Sequence, residues 1–159
     1  MNTSKTTKKK KERRRKMNKY EELKQKQQKR VDSFPMKFAF NDEQFERGMK
    51  ELGLDPEDTK EVLSIGGGGF IRKSDKEAFE ELFNNIANEI QEEIDKDKTG
   101  EGFVKDMFFF ELQNHEFGYT RELDDTLEAL DLKKEDILKS EKLKKGLLLA
   151  LQDIQEVEW

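Results

Sequence analysis

Apolar residues recur at helical spacing in several short runs along the chain, most of them opened by a capping residue. Asn18, with Glu21 three positions on, makes a capping-box pattern, and Tyr20, Leu23, Gln27 and Val31 follow it at helical intervals. The pattern predicts a helix with a thin apolar stripe that needs a partner surface. Phe34-Pro35 ends it, because proline pushes the preceding residue out of the α region. Met36-Lys37-Phe38-Ala39-Phe40 alternates large apolar residues with smaller or polar ones and predicts a short strand. Asn41 and Gln44 open a second helix with Phe45, Met49 and Leu52 on one face. Gly53 suits a left-handed C-cap, with Leu54 packing back. Asp55-Pro56-Glu57-Asp58 then reads as a helix restart: a cap, proline at the first helical position, and acids at the positive helix end.

Ile65-Gly66-Gly67-Gly68-Gly69-Phe70-Ile71-Arg72-Lys73-Ser74-Asp75 predicts a glycine turn feeding a short strand, Phe70-Ile71. Ser74 and Glu77 form a capping box for the longest amphipathic helix, which carries Ala78, Phe79, Leu82, Phe83, Ile86, Ala87, Ile90 and Ile94 on one wide face. Phe79, Leu82, Phe83 and Ile86 are expected to bury against Phe103, Met107 and Phe110. A polar connector over 95–102 leads to a helix from Phe103 to Asn114 that is apolar on most sides and therefore central. Phe108-Phe109-Phe110 cannot all point one way on it, so one ring is expected at the surface. Glu116-Phe117-Gly118-Tyr119-Thr120 reads as a second short strand. Two last helices follow, one with Leu123, Leu127 and Leu130, the other with Leu143, Leu147, Ala150, Leu151, Ile154 and Val157 before Trp159.

Leu52-Gly53-Leu54-Asp55-Pro56-Glu57-Asp58 is echoed by Leu130-Asp131-Leu132-Lys133-Lys134-Glu135-Asp136. Both read as tight corners between helices. A DNA-reading helix-turn-helix is disfavoured, since acids open the segment after either corner and would face phosphate. The pattern predicts an α+β, mostly α fold: a compact bundle of five to seven short helices with a minor two- or three-stranded sheet.

Charge changes the picture at one end. Residues 1–30 hold 14 Lys and Arg against 3 Glu, a net of +11, whereas residues 31–159 carry a net of −16. Met1 is the only apolar residue before Met17. Residues 1–17 are therefore expected to form a disordered basic tail, and 18–159 a single mostly helical acidic domain. Lys8, Lys9, Lys10, Lys11, Arg13, Arg14, Arg15 and Lys16 are the candidate nucleic-acid-binding residues, acting by counterion release without reading sequence. The alternative is a solvated tail, or an optional extension before a second start at Met17. The acidic remainder also suggests a surface that imitates nucleic-acid phosphates, although interspersed Lys and Arg dilute it.

Composition narrows the chemistry further. The chain has no cysteine and a single histidine, His115, which exclude a disulfide framework, a thiolate centre and a multi-histidine zinc site. No apolar run approaches the ~20 residues of a membrane span. No metal, cofactor or membrane is expected, and the location expected is cytoplasmic. The four glycines lack the Gly-Lys-Ser/Thr ending of a phosphate loop and lie in no dinucleotide-binding unit. What remains is a possible anion site at Gly68, Gly69, Arg72, Lys73 and Ser74, against the plainer reading of a glycine turn. His115 precedes Glu116, but Tyr119 stands where a zinc-protease motif needs its second histidine, so a helix cap is the simpler role.

Phe34-Pro35-Met36-Lys37-Phe38-Ala39-Phe40-Asn41, Gly67-Gly68-Gly69-Phe70-Ile71-Arg72-Lys73-Ser74-Asp75 and Asn114-His115-Glu116-Phe117-Gly118-Tyr119-Thr120 together resemble an uncharacterised family of small proteins. Its members are encoded by phages, plasmids and conjugative elements of Gram-positive bacteria. The resemblance spans about residues 17–159 and implies an accessory role in a mobile element, with no assigned activity. The expected function is non-enzymatic binding, to nucleic acid through the tail or to a host defence protein in order to inhibit it. A small ligand-binding or enzymatic domain using the glycine loop, Arg72 and His115 is the alternative.

Overall fold

The computed structural model describes residues 17–158, so the tail residues 1–16 and Trp159 lie outside it, as do the side chains of residues 156–158. The described residues form an α+β, mostly α structure of eight α-helices and one three-stranded antiparallel sheet. In chain order these are α1 (Lys19–Asp32), β1 (Met36–Phe38), α2 (Asp42–Glu51), β2 (Val62–Gly66), β3 (Gly69–Arg72) and α3 (Lys76–Lys96). They continue with α4 (Phe103–Asn114), α5 (Phe117–Thr120), α6 (Asp124–Ala129), α7 (Lys134–Lys139) and α8 (Glu141–Glu158). The helix number exceeds the expected range by one. The described residues divide into two compact units, 17–25 with 90–158, and 26–89.

The first unit is built around α4. Phe103, Val104, Met107, Phe108 and Leu112 of that helix are buried with Tyr20, Leu127, Ile137, Leu147, Ala150 and Ile154. A helix apolar on most sides must be surrounded, and α4 is. Phe109 and Phe110 are half-buried against the same cluster, so none of the three consecutive rings is left at the surface. Asn18 Oδ1 accepts from the Glu21 N–H at 2.7 Å, as the capping pattern requires, and its amide donates to the Asp106 carbonyl at 3.1 Å. The start of α1 is thereby tied to α4.

Within 116–120, read from sequence as a strand, Phe117–Thr120 forms the short helix α5. Glu116 and Arg121 flank it in the left-handed region, at φ 53° and 58°, and these two reversals leave no extended run for a ladder. Tyr119 on it is 90% exposed.

The second unit holds the sheet, in the order β1-β3-β2. Met36 faces Ile71, Lys37 faces Phe70 and Phe38 faces Gly69, while Leu63 faces Ile71 across the other edge of β3. A small core of Met49, Leu52 and Phe70, with Phe45, Leu54 and Val62 against it, joins α2 to the sheet. Asn41 caps α2 by accepting from the Gln44 N–H at 2.8 Å, and the Gln44 side chain accepts from the Phe40 N–H at 2.8 Å.

Three expectations here need correction. No α-helix follows Pro56: the Asp55 carboxylate accepts from the Glu57 N–H at 2.9 Å, a 3₁₀ turn covers Thr59–Glu61, and β2 begins at Val62. The capping signal is satisfied by one tight turn, and the β-branched and alternating residues beyond it favour extension. Ser74 is not the cap of α3; it lies inside a second 3₁₀ turn, Lys73–Asp75, whose preceding residue Arg72 makes no side-chain capping bond. Finally, no residue of α3 is fully buried, and Phe83 is 40% exposed. Phe79 instead packs between Phe34 and Phe83, with ring centroids 5.6 and 4.8 Å away. The aromatic stripe closes a local cluster with Phe34.

Candidate functional site

The glycine segment is a β-hairpin. Gly66, Gly67 and Gly68 turn the chain from β2 to β3 at φ values of 91°, 58° and 82°, a conformation only glycine takes without cost. The Gly68 carbonyl accepts from the Ala39 N–H at 2.9 Å, continuing the β1 pairing one step into the turn. Side chains approach this backbone closely. A Cβ at Gly69 would stand 2.8 Å from both the Phe38 ring and Ile65, and one at Gly68 would stand 3.0 Å from the Phe40 ring. The glycines are thus a floor under three apolar side chains. Phe38 is 54% exposed and Phe40 78%.

Arg72, Lys73 and Ser74 stand at the far end of β3 from Gly68 and Gly69. Gly69 and Arg72 are the two ends of this four-residue strand, three steps or about 10 Å apart at ~3.3 Å per residue. The Arg72 guanidinium is occupied there, with Nε 2.8 Å from Asp75 Oδ2 and Nη1 3.4 Å from the Leu52 carbonyl. Lys73 and Ser74 are exposed. The hairpin glycines and the two cations do not converge on one anion.

His115 is the C-cap of α4, its N–H donating to the Glu111 carbonyl at 3.0 Å. Its Nε2 lies 3.3 Å from Glu111 Oε2 but is buried without a well-aligned hydrogen bond. Glu111 is itself buried; Tyr20 Oη donates to its Oε1 at 2.8 Å, and Thr126 Oγ1 donates to its carbonyl at 3.4 Å. Burial pushes the Tyr20 phenol far above its ordinary value, with the Glu111 hydrogen bond and charge adding to the effect. This buried polar group is the most chemically distinctive in the first unit. No local pattern signals the Tyr20–Glu111 pair, since the two residues are 91 positions apart.

The connector 95–102 holds a further motif. Asp95-x-Asp97-x-Thr99-Gly100 matches the opening of a calcium loop in spacing. Its carboxylates serve separate ends, however. Asp95 accepts from Gln91, and Asp97 accepts from the backbone N–H groups of Thr99, Gly100, Gly102 and Val104. Asp106 takes the Lys19 N–H. Among the described residues no cluster of three or more His, Asp or Glu side chains is arranged to hold a metal. Burial alone would raise the Asp97 carboxyl, but the four donors outweigh it and hold it below the usual range.

The candidate nucleic-acid residues Lys8, Lys9, Lys10, Lys11, Arg13, Arg14, Arg15 and Lys16 lie outside the described residues. Among the described residues no helix is long and apolar enough to cross a membrane.

The fold therefore defines a mostly helical α+β protein with an exposed aromatic edge on its small sheet. The chain belongs to a family of unknown function, DUF7659, whose profile matches residues 19–153. Comparison with curated proteins and with solved structures finds no match.

Proposed function

We propose that this protein is a non-enzymatic accessory binding protein of a phage, plasmid or conjugative element, acting in the cytoplasm through macromolecular contact. Its partners are nucleic acid, engaged by the basic residues 8–16, or a host defence protein engaged by the folded body and inhibited. One observation carries this reading. The glycines and Arg72, the residues best suited to a small-molecule site, are committed to a turn and to an internal ion pair, while two phenylalanine rings stand in solvent. Large rings held at a surface mark contact with another macromolecule more often than chemistry.

A second reading has one specific support. His115 Nε2, buried beside a buried carboxylate and poorly bonded, is the kind of group a small enzymatic or ligand-binding site uses. The test compares the full chain with a form starting at Met17 in a duplex-DNA titration over a range of salt. The same two forms are used as baits in a mobile-element host. Tail-dependent, salt-sensitive DNA binding, or a host protein held stoichiometrically by both forms, is the expected result. Neither outcome, together with a turnover that His115→Ala abolishes, would overturn the proposal in favour of the second reading.

A further inference from the structure

We propose that two copies of this chain associate by pairing β2 with β2 of the second copy, antiparallel about a two-fold axis at Leu63. This goes beyond the binding reading and does not depend on which partner the protein takes. The sheet has two edges, β1 on one side and β2 on the other. They are not equivalent. β1 is three residues long, carries Lys37 and follows Pro35, which has no N–H to offer. Its Met36 N–H is already bonded to the Phe34 carbonyl at 2.8 Å. Short length, proline and lysine keep an edge from pairing. β2, five residues from Val62 to Gly66, has no proline and no charge.

The ladder fixes which backbone groups of β2 are free. In an antiparallel ladder the N–H and C=O of one residue point to the same neighbour, and successive residues alternate sides. Ala39 N–H donates to the Gly68 carbonyl, which aims Gly68 at β1, and two residues on it aims Phe70 there too. Ile71 is therefore aimed at β2, where it faces Leu63. Leu63 is satisfied by β3, and Val62 and Ser64 direct their N–H and C=O groups away from the sheet. Among the described residues no turn or loop hydrogen bond reaches those groups, and Ser64 is exposed.

The free groups select the register. About an axis at Leu63, Val62 of one copy faces Ser64 of the other, and each facing pair exchanges both of its bonds, so no outward group is left over. An axis at Ser64 would instead set Val62 against Gly66, whose groups face Gly69 within the sheet. Leu63 meets its own copy at the centre, on the face that also bears Met36 and Ile71.

Charge favours a second copy as the occupant. Residues 62–71 are the longest stretch without Asp, Glu, Lys or Arg in a chain of 42% charged residues and net charge −5. Copies that repel over most of their surface meet here uncharged against uncharged. The nearest ionic residues, Lys60 and Glu61, come opposite Gly66 and Ile65, so no like charges are opposed. The contact is short, well under the ~1,200 Å² of stable interfaces, so the dimer should be weak, with a Kd between about 10 μM and 1 mM.

The chain has no cysteine, so a single introduced one reports the axis. Directly opposed residues of a non-hydrogen-bonded pair have Cα atoms about 4.5 Å apart, within disulfide reach. The experiment oxidises full-length Leu63→Cys, Ser64→Cys and, as an exposed control, Tyr119→Cys at matched concentration. Sedimentation equilibrium follows the parent and Ser64→Pro up to about 1 mM. Leu63→Cys should form the covalent dimer about tenfold faster than either other variant. The parent should dimerise reversibly, and Ser64→Pro, whose lost N–H points away from β3, should stay monomeric. Amide exchange at Val62 and Ser64 should slow as concentration rises, while Leu63 stays protected throughout. If Ser64→Pro does not fold, the cysteine contrast and the exchange pattern decide. A parent that stays monomeric, a dimer indifferent to Ser64→Pro, or crosslinking fastest at Ser64→Cys or Tyr119→Cys would overturn the pairing. So would protection of Val62 and Ser64 that appears only with an added host protein, which would assign the edge to a foreign strand. Binding of nucleic acid or a host protein by a chain that stays monomeric would leave the broader function standing without this dimer.

Discussion

Tyr20 and Glu111, 91 residues apart, share a hydrogen bond of 2.8 Å that is closed off from water on both sides. It ties the start of α1 to the middle of α4. Tyr20→Phe removes the donor and leaves a buried carboxylate oxygen without it, which should cost about 1–3 kcal/mol. The pH dependence has a definite sign. The folded state holds the phenol protonated above its ordinary value, so its contribution is complete below pH ~10 and lost as pH rises further. Urea titrations at pH 8 and pH 11 should show a steeper loss for the parent than for Tyr20→Phe. Equal slopes would mean the phenol titrates alike in both states.

Asp97 acts in the opposite direction. Its lowered carboxyl stabilises above the unfolded value, about pH 4, and that contribution disappears as pH falls through the folded one. Asp97→Ala should cost about 1–2 kcal/mol at pH 7, the range of a lost helix cap. Asp97→Asn should cost less, because one oxygen still accepts from Thr99 and Gly100. Both variants should converge on the parent as pH falls below about 4 and through the lowered folded value, measured by thermal unfolding.

The two aromatic stripes should separate in a truncation experiment. Phe108, fully buried in the α4 core, should lose about 3–5 kcal/mol on Phe108→Ala. Phe83, 40% exposed beside Phe79, should lose roughly half of that or less. Denaturant midpoints for the two variants give the comparison directly.

These contrasts show what the sequence makes legible. Signals completed within a few residues were readable: the caps at Asn18 and Asn41, the reversal at Gly53, the hairpin glycines, and the position of α4 from its all-round apolar pattern. Signals decided by distant partners were not. The stripe from Phe79 to Ile86 has the period of a buried helix, but period fixes only which side chains share a face, not how deeply they are covered. Residues 59–66 and 116–120 are short enough that one turn decides between strand and helix. At the candidate site, Gly68 and Gly69 could be placed in a turn from sequence alone. That Phe38 and Phe40 lie over them could not, because it depends on the β1–β3 register.

Replacing the hairpin glycines tests that floor. Gly67 has open space where a side chain would go, so Gly67→Ala meets only the penalty of its φ of 58°, about 1–2 kcal/mol. A Cβ at Gly68 would come within 2.9 Å of the Ala39 carbonyl oxygen as well as 3.0 Å of the Phe40 ring. Gly68→Ala should therefore cost more than Gly67→Ala and shift the Phe40 resonances, which amide and aromatic NMR spectra would show. Equal costs with unmoved Phe40 signals would place that ring away from the turn.

The paired corners supply a stabilising substitution. After α2, Gly53 sits at φ 78°, its N–H bonded to the Lys50 carbonyl and the Leu54 N–H to the Met49 carbonyl at 2.9 Å. After α6, Asp131 sits at φ 54°, its N–H bonded to the Glu128 carbonyl and the Leu132 N–H to the Leu127 carbonyl, again at 2.9 Å. The backbone device is the same at both corners, a left-handed residue closing the helix with a leucine packed behind it. Only the residue that occupies it differs. Asp131 bears the cost of a Cβ in the left-handed region that Gly53 avoids, and it is exposed with no ion pair among the described residues. Asp131→Gly should therefore raise stability by about 0.5–1 kcal/mol, and Gly53→Ala should lower it by about 1 kcal/mol. Matched denaturation curves test both. A destabilised Asp131→Gly would mean that the aspartate carboxylate contributes more at that corner than its backbone strain removes.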